Sequence, residues 1–180
     1  GQADIYDAVF DTTKLRFSWL LVNLLTAIAA SIVIGFFQAS IEKVVALAVL
    51  MPIVASMGGN AGTQTLTVSV RALATKELTP SNTLRIIAKE TFVGGINGFI
   101  FAVLVGLIAS YWFSDTLLGM VIALAMVINL LVAGLAGALI PISLNKLKID
   151  PALASGVILT TITDVFGFLS FLGLASIFII

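Results

Sequence analysis

Residues 44–74 read VVALAVLMPIVASMGGNAGTQTLTVSVRALA. This run is long enough and apolar enough to cross a bilayer, because a spanning helix needs about 20 mostly apolar residues. It is also unusual, because Pro52 is followed by Gly58, Gly59 and Gly62. Proline removes a backbone donor and glycine loosens a helix, so the pattern predicts irregular backbone at membrane depth. The alternative is a kinked helix that packs closely on a neighbour through its glycines.

The same run carries polar side chains beyond the proline: Asn60, Thr63 and Gln64. Irregular backbone inside a membrane is tolerated only where it is buried in protein or lines water. Freed carbonyls and side-chain oxygens suit a hydrated or partly hydrated cation. We therefore treat Gly59 and Asn60 as candidate ligands. The candidate pore-lining positions are Pro52, Gly58, Gly62 and Gln64.

Four further apolar runs are long enough to span a membrane. They are residues 17–37, residues 91–113 after an amphipathic lead-in from Ser81, residues 117–144 and residues 152–180. The alternating segments of about ten residues that are typical of membrane barrels are absent from the sequence. The fold class is therefore predicted to be all-α, a polytopic membrane protein with five transmembrane helices per subunit.

Composition supports a membrane protein. Of the 180 residues, 60% are hydrophobic and 10% are charged, whereas a soluble domain carries about 25% charged residues. The formal net charge is zero, which argues against nucleic-acid binding. The sequence has no cysteine and no histidine. Thiolate and imidazole sites are therefore excluded within this sequence, and any metal chemistry must use oxygen ligands.

The distribution of lysine and arginine predicts the orientation. Five spans place the termini on opposite sides of the membrane. A cytoplasmic N-terminus puts eight basic residues on the cytoplasmic side, and Lys43 alone on the other side. The eight are Lys14, Arg16, Arg71, Lys76, Arg85, Lys89, Lys146 and Lys148. By the positive-inside rule, we expect the N-terminus inside and the C-terminus outside.

Small residues recur every fourth position in the third span, at Gly94, Gly98, Ala102 and Gly106. This spacing lets helix backbones approach closely. We interpret it as ordinary helix packing.

Asp164 is the only charged residue in the fifth span, twelve positions after Ala152. That distance is about 18 Å along a helix, near the middle of the bilayer. A carboxylate there costs about 2.5 to 3.5 kcal/mol on insertion scales. Thr160 and Thr161 share its helical face. No basic residue lies deep inside any span, which favours a cation as the missing partner. The alternative is an acid hydrogen-bonded to hydroxyls in a packed interior.

Other polar residues have simpler interpretations. Asn23, Asn97 and Asn129 lie singly in apolar spans, and we expect interhelical hydrogen bonds from them. Asp150 precedes Pro151 at the start of the fifth span, where it would cap the helix. Asp150 is also a candidate for collecting cations at a pore mouth.

The motifs resemble those of one known family. The run MPIVASMGGNAGTQTLTVSVRALA resembles the second transmembrane helix of the MgtE family of Mg²⁺ channels. The run IDPALASGVILTTITDVFGFL resembles that family's fifth helix, and FSWLLVNLLTAIAAS resembles its first. The resemblance covers nearly the whole chain from Leu15 onward, in the same order.

The resemblance implies a homodimer whose ion path follows the dimer axis, lined by the second and fifth helices. Asp164 would bind the ion in the pore, with Mg²⁺ as the transported ion and Mn²⁺ and Co²⁺ as further candidates. Because Mg²⁺ keeps several waters, recognition would act through its hydration shell. The resemblance also implies a multi-pass protein of the plasma (inner) membrane. Residues 1–14 would be the end of a cytosolic plug-type linker helix, residues 15–180 the pore domain, and a CBS-type regulatory domain would precede them.

The sequence leaves alternatives open. A transporter coupled to H⁺ or Na⁺ could also use a broken helix at mid-membrane. A non-conducting membrane anchor is a more distant alternative. We do not expect an enzyme, because an intramembrane aspartyl protease needs two acids on separate helices and only Asp164 lies deep in a span.

Overall fold

The computed structural model describes residues 1–180, apart from the side chain of Leu153. Six helices run through these described residues: α1 (Gln2–Gly35), α2 (Gln38–Lys43), α3 (Ala46–Ala74), α4 (Thr83–Trp112), α5 (Thr116–Lys146) and α6 (Pro151–Phe178). All of them except the short α2 are long and apolar enough to cross a membrane. The prediction of an all-helical protein with five such helices is confirmed. The orientation of the termini stays a prediction.

Helix α5 lies at the centre of the bundle. It packs against α4, α6 and α3, and α1 packs on α6. The most apolar window of α5 is 56% buried, whereas that of α1 is 6% buried. The outer helices therefore expose apolar side chains such as Leu107 and Phe99. A surface of this kind suits lipid, since lipid tails solvate apolar side chains without cost.

Glycines set the close contact between α4 and α5. A Cβ added to Gly94 would lie 2.5 Å from the Leu130 carbonyl oxygen, and one added to Gly134 would lie 2.6 Å from the Glu90 carbonyl oxygen. Both neighbours are backbone atoms and cannot move aside cheaply. The predicted role of the small residues in helix packing is confirmed for this pair of helices.

Three boundaries differ from the sequence-based spans. Helix α1 runs without a break from Gln2, so the polar first residues and the first span form one helix. Helix α4 likewise begins at Thr83 and includes the amphipathic lead-in. The short helix α2 was not predicted. Charged side chains do not end a helix whose backbone hydrogen bonds continue, so hydropathy marks the membrane part of a helix and not its ends.

Helix α3 corrects the expectation of irregular backbone. It is continuous from Ala46 to Ala74 with Pro52 inside it, and no glycine in the described chain has a positive φ. A single proline removes one hydrogen bond, and neighbouring helices hold the remaining turns in place. The expectation of irregular backbone with freed carbonyls after Pro52 was therefore wrong. The alternative, a helix that packs on its neighbours through its glycines, is observed.

Candidate functional site

The glycines of α3 have different surroundings. Gly58 and Gly62 are buried: a Cβ on Gly58 would collide with the amide of Asn129, and one on Gly62 would lie 2.9 Å from Leu159 Cδ1. Gly59 instead faces open space, with no atom within 4 Å of an added Cβ. Gly58 and Gly62 thus serve helix packing, and Gly59 leaves room beside the polar face of α3.

That polar face is exposed along α3. Asn60, Thr63 and Gln64 are all exposed, as Ser56 and Thr67 are. Asn60 Nδ2 donates to Ser56 Oγ at 3.3 Å, and Thr63 Oγ1 donates to the Gly59 carbonyl oxygen at 2.8 Å. The oxygen atoms of these side chains stay free to accept hydrogen bonds from water. Pro52 is exposed as well, one turn before Ser56.

Helix α6 carries the second polar stripe. Thr160 is exposed, while Thr161 and Asp164 are half-buried. The two threonine hydroxyls donate to carbonyl oxygens one turn earlier, Gly156 at 2.8 Å and Val157 at 2.7 Å. In the described chain Asp164 has neither a hydrogen bond nor a salt bridge from a side chain. The alternative of an acid hydrogen-bonded to hydroxyls is therefore not observed, and the carboxylate of Asp164 is left available for a ligand.

Two contacts set the register between α3 and α6. Gly62 lies against Leu159, and a Cβ on Gly167 would lie 3.2 Å from Val54 Cγ1. The helices are therefore antiparallel, and Asn60 lies at the depth of Thr161. The structure thus brings the polar parts of the two stripes to one level of the bundle.

Asp150 does not belong to this level. It is exposed and its Oδ1 accepts a hydrogen bond from Ala152 N at 3.0 Å. The predicted capping of α6 is confirmed. Fourteen residues separate it from Asp164, about 21 Å along the helix. A role in collecting cations stays a prediction for the end of the bundle.

Sequence reasoning missed two polar residues. Ser56 accepts from Asn60, and its position one turn earlier on the same face was a usable signal. Glu90 is 7% exposed inside α4, although it was assigned to the lead-in before the third span. Its position directly before an apolar run of 18 residues or more was the signal that it could lie within the bundle.

Known proteins resemble this chain. The family model MgtE, described as divalent cation transporter, matches residues 51–174. The protein of Bacillus subtilis (strain 168) named "Magnesium transporter MgtE" is 36% identical over 178 residues, which are 96% of this chain and 40% of the relative. The protein of the same name from Thermus thermophilus is 35% identical over 182 residues, 97% of this chain and 40% of the relative. The chain spans about 40% of the length of these curated relatives.

Proposed function

Because this chain belongs to the MgtE family of divalent cation transporters, we propose that it forms a Mg²⁺-selective channel. Two copies would enclose the pore as a homodimer, with α3 and α6 of each copy along the ion path. The curated relatives are named magnesium transporters, and that name supports the choice of ion. Mn²⁺ and Co²⁺ are further candidate ions.

The observation that carries this proposal is the exposed polar surface of α3 and α6 at the depth of Asp164. An acid at mid-membrane costs about 2.5 to 3.5 kcal/mol, and side chains such as Asn60 and Thr160 add to that cost. Such a surface cannot face lipid. A water-filled path shared with a second copy would hydrate both stripes and bring two carboxylates, one from each copy, to a divalent cation.

Specific roles follow from the geometry of the stripes. Asp164 would attract the cation, and the Thr160 and Thr161 oxygens would accept hydrogen bonds from its waters. On α3, Asn60 would do the same, with Gly59 leaving space for the hydration shell. Outer-shell recognition agrees with the reluctance of Mg²⁺ to lose water. It would also keep binding weak enough for release.

Passive conduction is preferred to coupled transport. The transporter alternative rested partly on a broken helix at mid-membrane, and α3 is continuous between Ala46 and Ala74. Single-channel current steps would support the channel. A fixed counter-flux of H⁺ or Na⁺ would support the coupled transporter instead.

The family also indicates where the protein lies and how its pore would be regulated. We place the protein in the plasma (inner) membrane as a multi-pass protein, with the N-terminus in the cytoplasm. Residues 1–14, the exposed first part of α1, would continue a cytosolic plug-type helix. Through it, a cytosolic CBS-type regulatory domain would act on the pore.

The experiment that tests the channel is Mg²⁺ uptake into proteoliposomes, with wild type compared with Asp164→Asn and Asp164→Ala. Uptake by wild type and loss in both variants, with folding and dimerisation retained, is expected. Glu42→Gln is the matched control, because it removes an exposed carboxylate outside α3 and α6. Equal uptake by wild type and the Asp164 variants would refute the proposed ion path, and absent uptake by wild type would favour the membrane anchor.

A further inference from the structure

A polar cavity lies between α3, α4 and α5. Its volume is about 120 Å³, and its polar lining consists of Glu90, Gln64, Thr65 and Asn97. A water molecule takes about 30 Å³ in the liquid, so the cavity has room for about four waters. It is therefore large enough for a cation that keeps part of its hydration shell.

Glu90 is the charged group of this cavity. Its side chain is 7% exposed, and Thr65 Oγ1 donates to Glu90 Oε2 over a long 3.4 Å. Within the described chain no lysine or arginine forms a salt bridge with it. A buried charge is strongly unfavourable unless it is paired or holds a cation. One weak hydrogen bond does not offset the free-energy cost of burying a carboxylate. The Glu90 carboxylate therefore lacks a positively charged partner in this cavity.

The backbone holds Glu90 in place. Its carbonyl oxygen would lie 2.6 Å from a Cβ added to Gly134, so the close packing of α4 on α5 fixes the backbone of Glu90, whose side chain lines the cavity. Thr65 is held in a similar way, because a Cβ on Gly137 would lie 2.8 Å from Thr65 Cβ. These groups are pre-organised by packing and need little rearrangement to bind a ligand.

The cavity is separate from the Asp164 level. The register of α3 against α6 places Asp164 near Met57, and Thr65 follows Met57 by eight residues, about 12 Å along the helix. Thr65 is buried, whereas the stripe that includes Asn60 and Thr63 is exposed. One ion therefore cannot contact both carboxylates.

We propose that this cavity binds a partly hydrated divalent cation, one per chain. Glu90 supplies the charge, the Thr65 hydroxyl and the Gln64 and Asn97 amide oxygens contact the ion's waters, and no covalent step is involved. Oxygen-only ligands of this kind suit hard cations such as Mg²⁺. The choice of ion rests on the proposed function, but the existence of the site rests on Glu90 and its cavity.

The experiment counts bound Mn²⁺, a paramagnetic stand-in for Mg²⁺, by electron paramagnetic resonance on the full chain in lipid nanodiscs. We expect Glu90→Gln to lose one ion per chain, with the Asp164 site kept, and Asp164→Asn to keep the Glu90 site. Glu42→Gln, which removes an exposed acid, is the matched control and should bind as wild type does. An unchanged count in Glu90→Gln would overturn the proposal.

A second variant tests the same site if Glu90→Gln does not fold. Thr65→Val keeps the shape of the side chain and removes its hydroxyl, and we expect it to weaken Mn²⁺ binding by about tenfold, as lost outer-shell partners do. Unchanged affinity in Thr65→Val would contradict the assignment of this residue. The two proposals fail separately: loss of an ion in Glu90→Gln combined with normal uptake in Asp164→Asn would retain this site and refute the pore.

Discussion

Asn129 Nδ2 donates a hydrogen bond to the Val54 carbonyl oxygen at 3.1 Å and so joins α5 to α3 across 75 positions of sequence. The side chain of Asn129 is fully buried and fills the space left by Gly58 on α3 and Gly167 on α6. The interhelical hydrogen bond predicted for this asparagine is confirmed. Because Gly167 is one turn beyond Asp164, the same contact positions the polar part of α6 against α3.

Removal of the Asn129 amide should destabilise the bundle. We expect Asn129→Ala to lower the free energy of unfolding by about 1 kcal/mol, the usual net value of an interhelical hydrogen bond, plus a cavity cost. Unfolding in mixed micelles with increasing denaturing detergent measures the change. Asn23→Ala is the control, because Asn23 is exposed and its side chain makes no hydrogen bond in the described chain. Equal stability of Asn129→Ala and wild type would contradict this role.

Adjacent glycines of α3 should respond differently to the same substitution. Gly58→Ala places a methyl group in the Asn129 amide, so we expect a loss of about 1 to 3 kcal/mol from overpacking. Gly59→Ala meets open space and should retain wild-type stability or exceed it, because alanine favours a helix. The same detergent titration compares them. A larger loss in Gly59→Ala than in Gly58→Ala would show that the helix is rotated from the orientation described.

Asp150 should matter more for helix stability than for conduction. Its Oδ1 accepts from Ala152 N, and we expect Asp150→Ala to cost about 0.5 to 2 kcal/mol, whereas Asp150→Ser keeps a capping oxygen and most of the stability. Mg²⁺ uptake by Asp150→Ser separates the two roles. Uptake close to wild type indicates capping alone, and a several-fold loss at low Mg²⁺ with normal stability would support cation collection at the mouth.

The polar stripe of α6 should be accessible to water. The sequence has no cysteine, so a single introduced thiol can be assigned without ambiguity. We expect a charged, membrane-impermeant thiol reagent to modify Thr160→Cys and block Mg²⁺ uptake. Phe99→Cys, on the apolar exposed surface of α4, should not react, because a thiol in lipid stays protonated and out of reach. Reaction at Phe99→Cys with none at Thr160→Cys would contradict the proposed path.

Much of the fold could be predicted from local properties of the sequence. Hydropathy over windows of about 20 residues located all five long helices, because the cost of moving each side chain into lipid adds along a helix. Asp164 was prominent for the same reason, as a single acid in an apolar run. The linear motifs around Pro52 and Asp164 were also sufficient to identify the family, and the comparisons confirm it.

Only the tertiary structure decided which polar residues are buried. Asn23 and Asn129 are alike in sequence, single amides in apolar helices, yet Asn23 is exposed and Asn129 is fully buried. Hydropathy sets where a helix crosses the membrane, but its rotation about its own axis is set by packing against helices distant in sequence. For this reason Glu90 was first assigned to the lead-in, and the backbone after Pro52 was wrongly expected to be irregular. The contacts of Asn129 with Gly58 and of Glu90 with Gly134 exist only once α5 has packed against α3 and α4.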